Sequence, residues 1–302
     1  MYLKYTTLGA HYLETGNYAK GEAVFRQALK ADPADPEANY FLGRFLLAGN
    51  KVREALVYLQ KAVKLDPYDA DKNFWLGVAW GENGDKRKER QMYTLALTLD
   101  PDHLQSLIYL GHVQLNDKEY TAALQSYEKA LKLWPSSPSA LYNRALILKI
   151  LGRTPEERIA WLEYLARYPS GGLARRAADH LNMLGDFSYR NHRLGARVVT
   201  LAKIAFKPFE ARLESSSHPS LKLVGAIVSN MGRGTLQIVV YQKNNKELAR
   251  RRAVAIRKFL RENFSDLREG RIGISWFSEP EVVTIGGKKM TIDESVRFFL
   301  TE

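Results

Sequence analysis

The amino-acid sequence predicts an α-solenoid of helix-turn-helix repeats followed by a C-terminal α/β domain. Two observations lead to this fold class. Prolines recur every 34 residues, which indicates an array of repeats that are each a pair of helices. The period ends at residue 171, and after residue 197 β-rich runs alternate with helical patterns, as in a mixed sheet with helices on one face. The recurring prolines are Pro33, Pro67, Pro101, Pro135 and Pro169.

Three features recur at fixed places within the repeats. A Leu-Gly pair stands early in the first helix, as at Leu42-Gly43 and Leu76-Gly77, and its glycine allows two helices to approach closely. A large side chain fills one place in the second helix, and an alanine usually follows one turn later. The large residues are Phe25, Leu59, Tyr93, Tyr127 and Trp161. This pattern resembles the tetratricopeptide repeat (TPR) family.

The period also predicts the domain boundaries. Residues 1–171 form five predicted repeats, and residues 172–197 are a predicted capping helix and linker. Residues 198–302 form the predicted α/β domain. Its predicted helices are Leu221–Met231 and Lys246–Arg261, and its predicted strands are Val198–Phe206, Thr235–Tyr241, Arg271–Phe277, Val282–Ile285, Lys288–Ile292 and Glu294–Leu300.

Composition limits the classes of partner. The 302-residue chain carries a formal net charge of +12, which favours acidic partners such as nucleic acid, anionic lipid, an envelope polymer or an acidic protein surface. It contains no cysteine, which excludes disulfides and cysteine nucleophiles. No apolar run is long enough to predict a transmembrane segment.

A second motif opens the long predicted helix of the C-terminal domain. Its residues are Asn245, Leu248, Ala249, Arg252 and Ala253. The spacing resembles the Asn-x-x-Leu-Ser-x-x-Arg-Ala motif of the OmpA-like peptidoglycan-binding family. That resemblance implies a pocket in which an Asp holds the ammonium of diaminopimelate and the Arg holds its carboxylate. Lys243 stands at the position of the Asp, and a lysine repels an ammonium.

The predicted wall-ligand pocket therefore consists of Lys243, Asn245 and Arg252, for peptidoglycan or another anionic polymer. An alternative for Arg252 is structural, because it lies on the inward face of the helix and can brace the end of the sheet. The outward face between Arg250 and Arg261 is basic and gives a second hypothesis, a scaffold that binds nucleic acid or anionic lipid. The lack of interleaved aromatic residues and of nucleic-acid motifs argues against nucleic acid.

The resemblance to TPR proteins implies a binding groove as well. In that family the concave surface is lined by fixed positions of each first helix, and here those positions are mainly apolar and aromatic. We expect them to bind an extended or helical segment of a partner protein. The alternative for each aromatic residue is burial between repeats. The predicted groove residues are Tyr40, Arg44, Phe74, Val78, Ile108, His112, Tyr142 and Leu146.

No sequence motif for catalysis, metal binding or a cofactor is present, so we expect a non-catalytic protein without a cofactor or metal. The leading hypothesis is an envelope adaptor whose groove binds a partner protein or peptide and whose C-terminal domain docks to the cell wall or to an envelope protein. We expect a bacterial periplasmic or outer-membrane location, with an export signal or anchor removed from the chain. A cytoplasmic location stays open, because a chain without cysteine suits either compartment.

Overall fold

The computed structural model describes residues 2–231, 234–267 and 270–301 and divides into two compact units, Met1–Leu151 and Gly152–Glu302. The first unit contains the helices α1 (Tyr2–Glu14), α2 (Tyr18–Ala31), α3 (Pro36–Ala48), α4 (Val52–Leu65), α5 (Ala70–Glu82), α6 (Lys86–Leu99), α7 (Leu104–Asn116), α8 (Tyr120–Leu133) and α9 (Pro138–Ile150). The second contains α10 (Thr154–Arg167), α11 (Gly171–Met183), β1 (Tyr189–Leu194), β2 (Arg197–Ala202), α12 (His218–Asn230), β3 (Thr235–Gln242), α13 (Lys246–Asn263), β4 (Ile272–Phe277), β5 (Glu281–Ile285), β6 (Lys288–Ile292) and β7 (Glu294–Thr301).

The first unit is the predicted helical solenoid. Helices α1, α3, α5 and α7 each pack on the second helix of the same repeat, and successive first helices such as α3 and α5 also touch. The repeats begin in similar ways: Asp35 accepts a hydrogen bond from the Ala38 N–H at 2.7 Å, and Pro36 occupies the first helical position. Asn39 then donates to the carbonyl oxygens of Pro33 and Asp35, at 3.1 and 2.7 Å, which holds the turn between repeats.

The glycine of the Leu-Gly pair has the predicted role. A Cβ atom on Gly43 would lie 2.5 Å from Leu59 Cγ, and one on Gly77 would lie 2.7 Å from Tyr93 Cε1. Each glycine thus faces the large side chain of its own second helix, which is fully buried. A larger residue would force these helices apart, at a cost of about 1–3 kcal/mol.

The second unit contains the predicted mixed sheet. Strand β3 is central, parallel to β4 on one side and antiparallel to β7 on the other. Gly286 and Gly287, with φ of 56° and 80°, make the two-residue turn between β5 and β6, as their spacing predicts. The core between the sheet and the helices α12 and α13 includes Val224, Val228, Leu236, Ile238, Ile256, Leu260 and Phe298.

The predicted linker is wrong, because it contains strand β1, which pairs antiparallel with β2. Its sequence alternates, but two of its inward side chains are polar: Arg190 and His192 are buried along with Leu194. A search for apolar alternation therefore misses the strand. The next predicted strand is also shorter than expected. It ends at Ala202, and Phe206 forms only an isolated bridge with Leu213.

Hydrogen bonds tie the capping helix α11 to this hairpin. Asn191 on β1 donates to the Arg175 carbonyl oxygen at 2.9 Å and to Asp179 Oδ1 at 2.8 Å, both on α11. Thr200 on β2 donates to Asn191 Oδ1 at 2.8 Å. The helix and the sheet domain therefore belong to one compact unit, and the division of the chain falls inside the predicted fifth repeat rather than at residues 171 or 197.

Replacing Asn191 by Ala should loosen this attachment. The change removes the two hydrogen bonds that the side-chain amide donates and the one that it accepts. Each hydrogen bond contributes about 1 kcal/mol to stability. The amides of β1 should therefore exchange about tenfold to a hundredfold faster. Hydrogen exchange followed by mass spectrometry measures this. Asn263→Ala, which removes a bond at the end of α13, is the control. Equal exchange of β1 in the wild type and Asn191→Ala would contradict the expectation.

Candidate protein-interaction surface

The predicted groove residues divide into two groups by exposure. Tyr40, Phe74 and Tyr142 are buried, with 6%, 2% and 9% of their surfaces exposed. The expectation that these three rings line the groove is therefore corrected, and the alternative of burial within the array holds for them. The remaining predicted groove residues are partly exposed: Arg44, Val78, Ile108, His112 and Leu146.

The burial of Phe74 follows from its aromatic neighbours. Its ring lies 5.6 Å from that of Tyr93 and meets the ring of Tyr109 edge to face, with centroids 5.2 Å apart. Tyr93 fills the large position of the second helix and is itself buried. Phe74 therefore packs in the interior of the array, and Tyr109 is the exposed ring of this pair.

Two aromatic residues missed by the sequence prediction lie at the next position along each first helix. Tyr109 is 41% exposed, and Trp75 is partly exposed. They are 34 residues apart, and Phe41 lies another 34 residues before Trp75. The repeat period could have identified the position of Trp75 and Tyr109. Their greater exposure relative to Phe74, however, depends on how the helices pack.

Arg44 is held in place across the α3–α5 boundary. Its guanidinium donates to the Tyr40 hydroxyl at 3.1 Å and lies 4.1 Å from the centroid of the Trp75 indole. This distance is within the range of a cation–π interaction. The contact fixes an arginine and a tryptophan side by side on adjacent repeats.

Asp71 and His112 add polar groups to the same set of helices. His103 Nε2 lies 3.2 Å from Asp71 Oδ1, and this hydrogen bond lowers the pKa of Asp71, whose side chain is 60% exposed. His112 Nε2 lies 2.7 Å from Ser139 Oγ on the next repeat. Burial lowers the pKa of His112, so its ring is neutral at physiological pH.

We call these exposed and partly exposed side chains the first-helix surface. It combines aromatic and aliphatic groups with one basic and one acidic side chain. Several members touch a neighbour on the adjacent repeat, so much of the surface is ordered before any partner binds. The first-helix surface consists of Arg44, Asp71, Trp75, Val78, Ile108, Tyr109, His112 and Leu146.

A buried ion cluster lies near this surface. The Lys72 ammonium is 2.5 Å from Glu37 Oε1, 2.7 Å from Asp69 Oδ2 and 3.1 Å from Asp66 Oδ2. Burial by itself would lower the pKa of Lys72, but hydrogen bonds to the three carboxylates raise it above its ordinary value. The carboxylates could together ligate a metal ion, but the ammonium already occupies the position between them.

The predicted wall-ligand pocket is not assembled as expected, because Arg252 is bound by the protein itself. Its side chain is 3% exposed and donates to the Glu210 carbonyl oxygen at 3.1 Å, to Glu294 Oε2 at 3.1 Å and to Gln242 Oε1. Its guanidinium also lies 4.7 Å from the Phe206 ring. These contacts favour the structural alternative for Arg252. The sequence analysis missed all four partners, which are distant in sequence or on other elements.

The other two members of that predicted pocket have separate partners. Lys243 Nζ lies 3.2 Å from Asp293 Oδ2, and Asn245 Oδ1 caps α13 by accepting the Leu248 N–H at 2.9 Å. Neither lines the cavity of about 110 Å³ beside Arg252. On the outward face of α13, Arg250 forms an ion pair with Glu247 at 2.9 Å, which offsets part of the positive charge there.

The paired helices and the first-helix surface define a helical repeat protein of the kind that binds other proteins. The chain belongs to the tetratricopeptide repeat family, whose sequence pattern matches residues 6–70, 46–103 and 110–172, more than half of the chain. Family membership supports a role as a protein-interaction scaffold, and such repeats are typically non-catalytic. No helix in the described residues is long and apolar enough to cross a membrane.

Several solved structures are similar to this chain. PilF of Pseudomonas aeruginosa is 23% identical, over 60% of this chain and 83% of that one, with a TM-score of 0.56. A thermophilic TPR protein of Thermus thermophilus is 24% identical, over 60% and 100%, with a TM-score of 0.47. YrrB, described as having an unusual peptide-binding site, is 17% identical, over 57% and 89%, with a TM-score of 0.48. No curated protein sequence is similar at a significant level.

Replacing Asp71 by Asn should lower the free energy of unfolding at neutral pH but not in strong acid. The pKa of Asp71 lies below the ordinary 3.8, so its stabilisation is present above that value and is lost as the pH falls through the lowered pKa. Denaturant unfolding at a series of pH values measures this, with the exposed Asp102→Asn as the control. A difference between wild type and Asp71→Asn that does not change with pH would contradict this assignment.

Proposed function

We propose that this protein is a non-catalytic adaptor whose first-helix surface binds a segment of a partner protein. The observation that carries the proposal is the ordered set of rings and charges on adjacent repeats, with Arg44 against the partly exposed Trp75 and with Tyr109 exposed on the following repeat. Aromatic and arginine side chains provide most of the binding energy in protein interfaces. Held in place beforehand, they lose little conformational entropy on binding.

The chemistry of the surface favours a mainly apolar partner segment. Val78, Ile108 and Leu146 offer aliphatic contact, and the neutral ring of His112 adds no charge. Arg44 and Asp71 each offer one charge, which would orient a segment carrying the opposite charges. An extended or helical segment with two or three apolar side chains fits this composition.

Tyr109→Ala should weaken partner binding strongly, and Trp75→Ala with Tyr109→Ala should abolish it, because each variant removes an exposed aromatic contact. A photo-cross-linking residue placed at 109 in cells identifies the partner, and titration of the purified pair then gives the affinity. We expect a loss of about thirtyfold for the single variant.

The matched control is Leu95→Ala, because Leu95 is 38% exposed but lies on the second helix α6. It should retain full affinity, and a cross-linker at residue 95 should not capture the same partner. Equal capture from both positions, or full affinity of the double variant while it remains folded, would place the binding site elsewhere.

We further propose that the C-terminal domain docks the adaptor to the cell wall or to an envelope protein, in the bacterial periplasm or at the outer membrane. The resemblance of the motif at Asn245 to the OmpA-like family supports this. Asn245 caps α13, and Leu248, Ala249 and Ala253 are buried. The ion pair between Arg250 and Glu247 on the outward face of α13 argues against the alternative, a scaffold for nucleic acid or anionic lipid.

Sedimentation with purified peptidoglycan tests the cell-wall half of this proposal. Lys243 is exposed, so Lys243→Asp should restore the acidic residue of the family motif without disturbing the core, and should increase the pelleted fraction. Lys207→Asp makes the same charge change at an exposed lysine outside the motif and should not. If the wild type and Lys243→Asp both stay wholly in the supernatant, docking to the wall is excluded.

A further inference from the structure

A cavity of about 280 Å³ lies in the second unit and belongs to neither site described above. It is surrounded by helix α10, the loop after α11, the β1–β2 hairpin and strand β7. Its wall combines an apolar part with polar and charged side chains, and two of the cationic side chains are exposed at its rim. The apolar lining includes Phe187, Leu201, Val296 and Phe298, and the rim cations are Arg158 and Lys203.

A buried histidine gives the apolar part of this wall a hydrogen-bond donor. His192 is 4% exposed, and its Nδ1 accepts the backbone N–H of Phe298 at 3.3 Å. Burial, with smaller effects from Arg297 and Arg190, lowers the pKa of His192 to about 3, so the ring is neutral at physiological pH. The proton of a neutral ring bonded in this way lies on Nε2, for which no hydrogen-bond partner exists among the described residues.

The other charged groups around the cavity are largely neutralised within the protein. Arg190 forms two hydrogen bonds with Glu281, at 2.7 and 2.9 Å. Glu294 accepts hydrogen bonds from Arg252 and Gln242, both at 3.1 Å. The exposed side chains therefore determine the net charge at the rim of the cavity.

Two cations and one acid lie at that rim, together with Glu294, whose side chain is 48% exposed and whose pKa is lowered in part by Lys203. Arg158 donates to the Leu184 carbonyl oxygen at 3.1 Å, which is a neutral acceptor. Lys203 is exposed, and Asp186 accepts the Ser188 N–H at 2.9 Å. Because Glu294 is already paired with Arg252, the rim has a net positive charge, and the His192 Nε2–H in the wall has no partner among the described residues. A bound acceptor would give that N–H a hydrogen bond.

We propose that this cavity binds a carboxylate attached to a short apolar group. The apolar group would pack against Leu201, Val296 and Phe298, and the carboxylate would accept the His192 Nε2–H and be attracted by Arg158 and Lys203. Such a ligand could be a free small acid or the C-terminal residue of a polypeptide. Both sources present the same chemistry to the cavity.

Binding of para-fluorophenylacetate to the full chain, followed by fluorine NMR, tests this proposal. We expect saturable binding, and we expect the neutral para-fluorophenylacetamide to bind about tenfold more weakly, because it lacks the negative charge that Arg158 and Lys203 attract. Lys203→Met should weaken binding of the acid by a similar factor and leave the amide unchanged. Lys207→Met, at an exposed lysine outside the cavity, is the control and should change neither.

His192→Asn tests the buried donor, since the asparagine Oδ1 can still accept the Phe298 N–H while the Nε2 donor is lost. It should also weaken the acid about tenfold. Because Lys203 is exposed, its variant keeps the test decisive if the histidine variant does not fold. A hexapeptide ending in leucine, with a free or an amidated C-terminus, then distinguishes the sources. Displacement of the acid by the free peptide alone supports a polypeptide terminus, and no displacement by either supports a free acid.

Three results would overturn the proposal: no saturable binding of the acid at about 10 mM, equal affinities for the acid and the amide, or equal effects of Lys203→Met and Lys207→Met. In each case the cavity would lack the selectivity for a carboxylate that its charges and its histidine imply.

Discussion

The first unit depends on one constraint: a single pair of helices cannot bury its own apolar face and must cover it with the next pair. The glycines at Gly43 and Gly77 make this possible, because they let the buried large side chain of the second helix lie directly against the first helix. The Lys72 cluster adds a buried ion pair at the same boundary, because its carboxylate partner Glu37 belongs to the preceding repeat. Only one alignment of adjacent repeats satisfies such a buried ion pair.

The same packing determines which side chains the first-helix surface exposes. It buries Tyr40 and Phe74, and at the next position it leaves Trp75 partly exposed and Tyr109 exposed, whereas Phe41 is buried. Contacts that stabilise the array, such as Arg44 on Trp75, therefore also order side chains of the first-helix surface. In the function that we propose, stability and recognition share residues on the first helices, and the surface is ordered before a partner binds.

The second unit differs from the first because its strand β1 buries polar side chains. Arg190 is paired with Glu281, and the His192 ring accepts a backbone N–H, so most of the cost of burying them is met within the domain. The hydrogen bonds of Asn191 then attach the hairpin to α11. This attachment holds against α11 the hairpin that supplies His192 and Leu201 to the cavity wall.

The sequence alone determined the repeats, their family, the close glycine contacts and the mixed sheet, because these depend on local periodicity and on spacing that recurs. It also showed that Arg252 lies on the inward face of its helix. Only the tertiary structure decided that Arg252 contacts Glu210 and Glu294, that β1 is a strand, and that exposed aromatic residues lie one position beyond the predicted ones. Those outcomes depend on partners distant in sequence and on which side of a helix its neighbours cover, and neither is contained in a local pattern.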